Sequence, residues 1–367
     1  MAEKAIASKD YKIHVLMMDM SRAFDTVSRS KLMDTLSNVL ERDELHMMKL
    51  LIQDVQFIVR CGIHTGEPFT TNIGTPQGDC LSPILFILYL AEALGSGEHA
   101  VQDHDYCLPP EHSTINEQYA DDLGWITNGP SHIIDDIKRD IPPKLSEYGL
   151  QVNPDKNEEF SVEYKGDSFW KTIKILGSKI DTIEDFKMRK AAAMEAMDKL
   201  SDIWKNNKLT TNMKLRFFNA YVESIFLYNS ELWTVTSALC KQIDSFQRRL
   251  LRYMLNIKYP RIVTNEQLKR KITYTKWSSK VRTRRLRWTG HLLRLPDSTA
   301  AKKALVVAEQ QAQHRRGRRI HTWLSLVKTE LNTLGLDWEG AKLLAMDRNM
   351  WRQRVVLSNM IVMSTSQ

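Results

Sequence analysis

Three aspartates in the first third of the chain have types and spacing that suit metal-assisted chemistry. Asp19 ends an apolar run that begins at Tyr11, and Asp121 and Asp122 close the tetrapeptide Tyr119-Ala-Asp-Asp. Mg²⁺ prefers oxygen ligands and is usually held by one or two protein carboxylates together with substrate phosphates. Two ions bridged by Asp19 and Asp121 would activate an attacking hydroxyl and stabilise a leaving oxygen. An Asp-Asp pair alone is also common as a polar hairpin turn.

The distribution of charge divides the chain into halves of opposite sign. The 367 residues carry a net charge of +8. Residues 1–180 hold 17 Lys or Arg against 28 Asp or Glu, whereas residues 181–367 hold 35 against 16. An acidic half for cations and a basic half for phosphates are typical of a metal-dependent enzyme that acts on nucleic acid. Two solvated surfaces of unlike sign are the alternative.

Composition argues against several other classes of protein. The apolar content of 43% argues against disorder, and no uncharged apolar run approaches the roughly 18 residues that a membrane span needs. The N-terminus lacks the apolar core of a secretory signal. The cysteines show no CxxC spacing, so we expect no structural zinc and a reducing compartment, in the cytoplasm, the nucleus or both.

The pattern of the first half predicts an α+β domain that positions the aspartates. A buried strand over residues 11–19 would end at Asp19, and residues 114–127 predict two strands joined by a tight turn at 120–122. The predicted helices span 31–40, 44–58, 81–94 and 131–148, the last capped by Ser131, and a short hairpin is predicted over 57–64 and 68–73. This order of elements resembles the split βαβ arrangement of an antiparallel sheet.

After Leu176 and Gly177 the periodicity becomes purely helical, and a helical bundle is the simplest interpretation. The helical stretches are 186–204, 212–228, 239–255 and a final amphipathic unit over 323–360. Two strongly basic stretches lie at 269–294 and 314–319, and a flexible linker is predicted over 297–319.

Five sequence blocks occur in the order found in one enzyme family. They are Asp19-Met-Ser-Arg-Ala-Phe24-Asp25, Gly74-Thr-Pro-Gln77-Gly78-Asp-Cys-Leu-Ser82-Pro83, Tyr119-Ala-Asp121-Asp122, Gly149-Leu-Gln-Val-Asn153-Pro-Asp-Lys156 and Ile175-Leu176-Gly177. With these blocks the chain resembles a reverse transcriptase of the non-LTR retrotransposon (LINE-type) family, where they would be motifs A to E. Similar blocks around Phe246, Thr264, Trp288 and Trp351 extend the resemblance over nearly the whole chain.

The resemblance implies a catalytic role for the acidic residues and their neighbours. Asp19 and Asp121 would bind Mg²⁺ or Mn²⁺, and Asp122 would be a weaker third catalytic carboxylate. Phe24 would be the aromatic gate that excludes a ribose 2′-hydroxyl, with a core aromatic as the alternative. Lys156 would neutralise or protonate the leaving pyrophosphate, with a solvated surface lysine as the alternative.

Other matching residues would contact the nucleotide or the primer. Gln77 and Gly78 would line the nucleotide pocket, since glycine lets the backbone approach closely, or would form a loop before a helix. Tyr119 would contact substrate. Leu176 and Gly177 would support the primer end, or would simply mark the end of a strand.

The arginine-rich segment near residue 285 is the strongest nucleic-acid patch by composition. Arg282, Arg284, Arg285 and Arg287 are interleaved with Trp288. Guanidinium groups bind phosphates bidentately and Trp stacks on unpaired bases, whereas a solvated helix face is the alternative. The arginines at 315–319 predict either a nuclear localisation signal or an RNA-binding arm.

The resemblance implies a palm with primer grip over residues 1–180, an α-helical thumb over 181–260 and a basic nucleic-acid-binding region over 261–367. Its partners would be an RNA template, a DNA primer or target DNA, and deoxynucleoside triphosphates. Because 18 residues precede Asp19, we expect a C-terminal portion without the family's fingers and endonuclease, poorly active alone. A non-catalytic nucleic-acid-binding remnant is the rival hypothesis, and a maturase-like or telomerase-like polymerase a weaker one.

Overall fold

The structure is a computed structural model that describes residues 12–53, 55–76, 78–95, 114–119, 121–163, 168–314 and 321–364. These residues form two units, divided between Trp170 and Lys171. Gln77, Ala120, Cys107 and the arginines at 315–319 lie outside the described residues. None of the described helices has the length and apolar character needed to cross a membrane. The predicted three-part division of the chain stays a prediction.

The first unit contains the strands and helices predicted from its periodicity. Its elements are β1 (Ile13–Ser21), α1 (Arg29–Ser37), α2 (Arg42–Ile52), β2 (Gln56–Phe57), β3 (Arg60–Cys61), β4 (His64–Thr65), β5 (Phe69–Thr70), α3 (Ser82–Ala93), β6 (Thr114–Tyr119), β7 (Asp122–Thr127), α4 (His132–Glu147) and β8 (Gln151–Val162). Three of these predictions are wrong. The helix predicted over 44–58 ends at Ile52, and Gln56–Phe57 form β2 instead. β1 continues past Asp19 to Ser21, and Ser131 makes no side-chain cap to α4.

A four-stranded antiparallel sheet forms the centre of the first unit, in the order β6-β7-β1-β8. This is the strand order of the predicted split βαβ arrangement, in which β7 pairs with β1 on one side and with β6 on the other. Alternate residues of β1, namely Leu16, Met18 and Met20, join a core with apolar residues of α1, α3 and α4. Because successive side chains of a strand point to opposite faces, Asp19 lies on the face away from that core.

In the part of the second unit that the structure describes, all elements are helical apart from one small hairpin. Its elements are β9 (Lys174–Ile175), β10 (Ser178–Lys179), α5 (Thr182–Lys199), α6 (Ser201–Lys205), α7 (Thr211–Phe217), a π-helical segment (Phe218–Glu223), α8 (Ser224–Phe226), α9 (Ser237–Met254), α10 (Asn265–Lys271), α11 (Trp277–Arg294), α12 (Ala300–His314), α13 (Trp323–Asn332), α14 (Trp338–Met346) and α15 (Arg348–Ser364). The prediction of a flexible linker over 297–319 is wrong for residues 300–314, because they form α12. Leu305 of this helix is buried in the core that contains Trp351.

Two apolar cores hold the second unit together. The first centres on Trp277, whose ring stacks on Phe226 at 4.3 Å between centroids. The second joins α11 to the last three helices and contains Trp351. Gly290 of α11 lies against that indole, since a Cβ built on this glycine would be 2.2 Å from Trp351 Nε1. The motif residues Gly290 and Trp351 therefore meet in a helix-packing contact.

Candidate active site

Pairing between β1 and β7 brings two aspartates of different motifs together. Asp19 lies directly opposite Asp122 in the antiparallel register. Directly opposed residues have Cα atoms about 4.5–5.5 Å apart and side chains on the same face. Asp121 occupies the turn before β7, and its carbonyl accepts a hydrogen bond from Met20 N at 3.1 Å. The sheet therefore holds the predicted acidic residues close together.

The electrostatics of Asp122 reflect this crowding of carboxylates. Burial raises the pKa of Asp122, and the negative charges of Asp121 and Asp19 raise it further. The positive charge of Lys156 acts in the opposite direction. Like charges that disfavour one another's ionisation form a site in which a bound cation is stabilising.

Lys156 supplies a positive charge to this cluster. Its Nζ is 2.9 Å from Asp19 Oδ2. The hydrogen bond to Asp19 and the charge of that carboxylate raise the pKa of Lys156, and Asp121 and Asp122 add smaller contributions of the same sign. The ammonium is therefore held in its charged form beside the aspartates.

A bulge in β8 gives Lys156 its position. Met17 pairs with Glu158, but Asp19 pairs with Asn153, so β8 contains three more residues than β1 over this stretch. Pro154 cannot donate to the ladder, and Asn153 Oδ1 accepts a hydrogen bond from Asp155 N at 3.2 Å. Bulges re-aim side chains next to active sites, and this one directs Lys156 towards Asp19.

Phe24 lies in a short 3₁₀ turn (Ala23–Asp25) immediately after β1. Its half-buried ring contacts Phe86 of α3 at 4.5 Å between centroids, and its carbonyl accepts a hydrogen bond from Thr75 N at 2.9 Å. The ring thus packs on the core while one part stays accessible. The gate role stays a prediction.

Arg29 is a buried residue of this region that the sequence analysis did not single out. Its Nε donates to Gly74 O at 2.9 Å, Nη1 to Thr71 O at 2.5 Å and Nη2 to Thr71 Oγ1 at 3.0 Å. Arg29 therefore fixes the segment that leads to Gly78. Arg29 is the first residue of α1, where a positive charge interacts unfavourably with the helix dipole. An arginine at this position is therefore a sequence signal that its side chain has partners outside the helix.

Gly78 and Tyr119 are accessible, as expected of residues that contact substrate. Gly78 has φ +89°, in the left-handed region, with open space where a Cβ would lie. Tyr119 pairs with Asp122 across the β6–β7 hairpin, and 67% of its surface is exposed. Their contacts with a nucleotide stay predictions.

Leu176 and Gly177 belong to the second unit, at the turn between β9 and β10. Both have positive φ, 47° and 78°. Leu176 O accepts a hydrogen bond from Tyr228 Oη at 3.0 Å, and Arg189 donates to Gly177 O. The turn is therefore fixed to its own unit, and its role at a primer end stays a prediction.

Arg285 has a structural role in the second unit. Its side chain is 0% exposed, with Nε 3.5 Å from Glu330 Oε2 and Nη1 donating to Trp233 O at 3.2 Å. Burial lowers the pKa of Arg285 and raises that of Glu330. Arg285 is therefore unavailable to a phosphate in this structure, which corrects its place in the predicted patch.

The rest of the predicted arginine patch is also largely engaged within the protein. Arg282 donates to Glu330 O at 3.2 Å and to Thr333, and Arg284 Nε is 3.0 Å from Glu231 Oε2. Trp288 packs partly on the second core of this unit. Arg287 alone among the four arginines is exposed, so α11 serves mainly as a core helix.

The acidic cluster fits a hard divalent cation by the chemistry of its donors. Asp19, Asp121 and Asp122 offer only carboxylate oxygens, and the ammonium of Lys156 already places a positive charge against Asp19. Within the described residues no three His, Cys, Asp or Glu side chains are close enough to hold a metal ion by themselves. Substrate phosphates would have to complete the coordination, as is usual for Mg²⁺.

Comparison with known proteins agrees with this geometry. A family model described as "Reverse transcriptase (RNA-dependent DNA polymerase)" matches residues 2–180. Residues 2–180 of the chain therefore carry a reverse transcriptase domain. The matched reverse transcriptase region contains Asp19, Asp121, Asp122 and Lys156, and the family predicted from the motifs is confirmed. Its members use a divalent metal ion in general.

One curated relative is named as a probable RNA-directed DNA polymerase from transposon BS of Drosophila melanogaster. It is 23% identical over 284 residues, which cover 70% of this chain and 30% of the relative. The chain thus spans less than a third of that relative's length.

Two solved telomerase structures are also similar to the chain. Telomerase from Candida tropicalis, in complex with a TWJ fragment of telomeric RNA, is 12% identical with a TM-score of 0.40, covering 84% of this chain and 51% of that one. The corresponding Candida albicans structure is 15% identical with a TM-score of 0.39, covering 86% of this chain and 52% of that one.

Proposed function

We propose that this chain catalyses RNA-directed DNA synthesis at the cluster of Asp19, Asp121 and Asp122. The observation that carries the proposal is the register that sets Asp19 opposite Asp122, with Asp121 in the adjoining turn. In this proposal residues 1–180 are the palm with its primer grip, and the helices between residues 181 and 260 form the thumb. The substrates are an RNA template, a DNA primer or target DNA, and deoxynucleoside triphosphates, and the curated relative's name supports this choice.

The residues of the cluster divide the chemical work between them. Asp19 and Asp121 hold Mg²⁺ or Mn²⁺, which when bound lowers the pKa of a primer hydroxyl and stabilises a leaving pyrophosphate. Asp122 adds negative charge next to them. Lys156 exchanges its carboxylate partner for the triphosphate, whose negative charge keeps the ammonium protonated so that it can donate a hydrogen bond to the leaving group.

Primer extension tests the proposal directly. The chain, with an oligo-deoxythymidine primer on a polyadenosine RNA template and Mg²⁺ or Mn²⁺, should incorporate deoxythymidine triphosphate, and Asp121→Asn should abolish incorporation. Electron paramagnetic resonance of Mn²⁺ gives a second readout. Mn²⁺ binding should strengthen when primer-template and nucleotide are added, and should not do so in Asp19→Asn. Absence of both signals would contradict the proposal.

The ion pair between Lys156 and Asp19 favours a second candidate, a non-catalytic nucleic-acid-binding protein. A lysine that neutralises Asp19 at 2.9 Å stabilises the folded chain without any metal ion. In that case oligonucleotides should still bind, while the Mn²⁺ spectrum should be identical with and without primer-template and nucleotide. The Mn²⁺ experiment therefore distinguishes the two candidates.

A further inference from the structure

The loop between α9 and α10, here called the Tyr259 loop (residues 255–264), presents apolar side chains to solvent. Tyr259 is 91% exposed, the highest value for a large apolar side chain among the described residues, and Ile262 is 83% exposed. Burying these side chains against a partner would be favourable. The loop therefore has the properties of a contact surface.

The base of the Tyr259 loop is fixed to its unit. Ile257 N donates to Arg252 O at 2.9 Å, and Ile257 packs against the core around Trp277. On the other side, Arg252 Nη2 donates to Val263 O at 3.0 Å and to Asn265 Oδ1 at 2.8 Å. Val263 is itself buried. The Tyr259 ring is therefore held outward from an anchored base.

The segment of chain that contains the ring is strongly positive. Lys258 precedes Tyr259 and Arg261 precedes Ile262, and three consecutive cations, residues 269–271, end α10. All five cations are exposed. Glu266 is the one acidic residue between positions 256 and 276. This differs from α11, where Arg284 and Arg285 are paired with carboxylates inside the unit. A polyanion is the partner with complementary charge.

An exposed aromatic ring among cations matches one class of polyanion best. Unpaired bases stack on aromatic side chains while Lys and Arg bind the adjacent phosphates. In a duplex the base faces are already stacked, so the ring would gain little there. We propose that the Tyr259 loop forms a contact site for single-stranded nucleic acid, in which Tyr259 stacks on a base and Lys258 and Arg261 bind flanking phosphates.

This site goes beyond the proposed polymerase reaction, because none of its residues belongs to the acidic cluster and binding needs no turnover. The two proposals can fail separately. Asp121→Asn should abolish primer extension and leave single-strand binding intact, whereas Tyr259→Ala should weaken single-strand binding whether or not the chain extends primers.

Fluorescence anisotropy with the full chain and a labelled single strand of about 12 nucleotides tests the stacking contact. Tyr259→Ala should weaken binding about 5- to 150-fold, whereas Tyr259→Phe, which keeps the ring, should stay within about twofold of the parent. Tyr221→Ala, an exposed tyrosine on the π-helical segment of the same unit, is the matched control and should change nothing. A blunt duplex of equal length should be affected much less by Tyr259→Ala.

The phosphate contacts have their own measurement. Lys258→Ala with Arg261→Ala should reduce the slope of log affinity against log salt by about 1.4, because each single-strand phosphate contact contributes about 0.7. The exposed lysines 205 and 208 provide the control pair. Unchanged single-strand affinity in Tyr259→Ala would overturn the proposal. So would unchanged oligonucleotide binding combined with lost binding to phosphatidylserine vesicles, which would assign the loop to a lipid surface.

Discussion

Asp122 lies where its negative charge is disfavoured. Burial, then the charges of Asp121 and Asp19, raise its pKa in the folded chain above the ordinary value of 3.8. The folded state therefore binds this proton more tightly than the unfolded state. The resulting stability is complete below the unfolded pKa and is lost as the pH rises through the folded pKa.

Replacement of Asp122 by asparagine should change the stability of the chain in a pH-dependent way that follows from this raised pKa. Asp122→Asn should raise the Tm near neutral pH, where the ionised carboxylate is disfavoured, and should change it little at pH values below about 3.5, where the carboxyl is protonated in both states. Thermal unfolding followed by circular dichroism measures both effects. Asp34→Asn, at an exposed position of α1, is the control. Equal stabilisation at both pH values would contradict the explanation.

Lys156 competes with a metal ion for Asp19. We expect Lys156→Met to strengthen Mn²⁺ binding by the free chain up to about fivefold, because an exposed ion pair contributes little and its loss leaves Asp19 free for the metal ion. Lys138→Met is the matched control, since Lys138 forms an ion pair with Glu159 of the same strand. Isothermal calorimetry measures both affinities. Equal affinities in the two variants would show that Lys156 does not occupy the carboxylate.

At the scale of elements, two glycines of one motif should differ in what they tolerate. Gly74 has φ +78°, and a Cβ there would be 2.9 Å from Asp25 O, whereas Gly78 has φ +89° and open space. Gly74→Ala should lower the free energy of unfolding by about 2 to 4 kcal/mol, from backbone strain plus the clash. Gly78→Ala should lower it by only about 1 to 2 kcal/mol, from the left-handed conformation. Urea unfolding compares them, and equal losses would contradict the role of the Asp25 contact.

The contact between α11 and α15 reverses the usual effect of a helical glycine. Gly→Ala inside a helix normally stabilises by about 1 kcal/mol. At Gly290 the new methyl would overlap the indole of Trp351, whose Nε1 donates to Leu286 O at 3.0 Å. Gly290→Ala should therefore destabilise by about 1 to 3 kcal/mol. Adding Trp351→Leu should make the alanine favourable relative to glycine, as a double-mutant cycle in urea would measure.

Residue patterns explain why some of these elements could be predicted and others could not. The largely apolar run from Tyr11 to Asp19 predicts the strand that carries Asp19. The bulge that delivers Lys156 has no periodic signal, because it depends on how two distant strands pair. Arg285 has the sequence context of a phosphate-binding residue, but its partner Glu330 lies on another helix and only tertiary packing brings the two together.

At the scale of the whole molecule, the second unit has both of its cores within its own residues. A fragment of residues 171–367 should therefore fold alone, because it loses none of the apolar contacts that form those cores. Circular dichroism should show a helical spectrum and a cooperative urea transition. The fragment carrying Trp277→Ala should lose that transition, since this ring is fully buried. A non-cooperative parent fragment would contradict the expectation.

Because Asp19 and Asp122 face each other across β1 and β7, the acidic site depends on the number of residues in each strand. Successive side chains of a strand alternate between faces, so a shift of one residue turns each side chain to the other face. Loss of the codon for Gly124, with Trp125 still held in the core, would turn the Asp122 side chain away from Asp19. A copy of this gene could thus lose its carboxylate pair through an in-frame deletion that leaves the reading frame open.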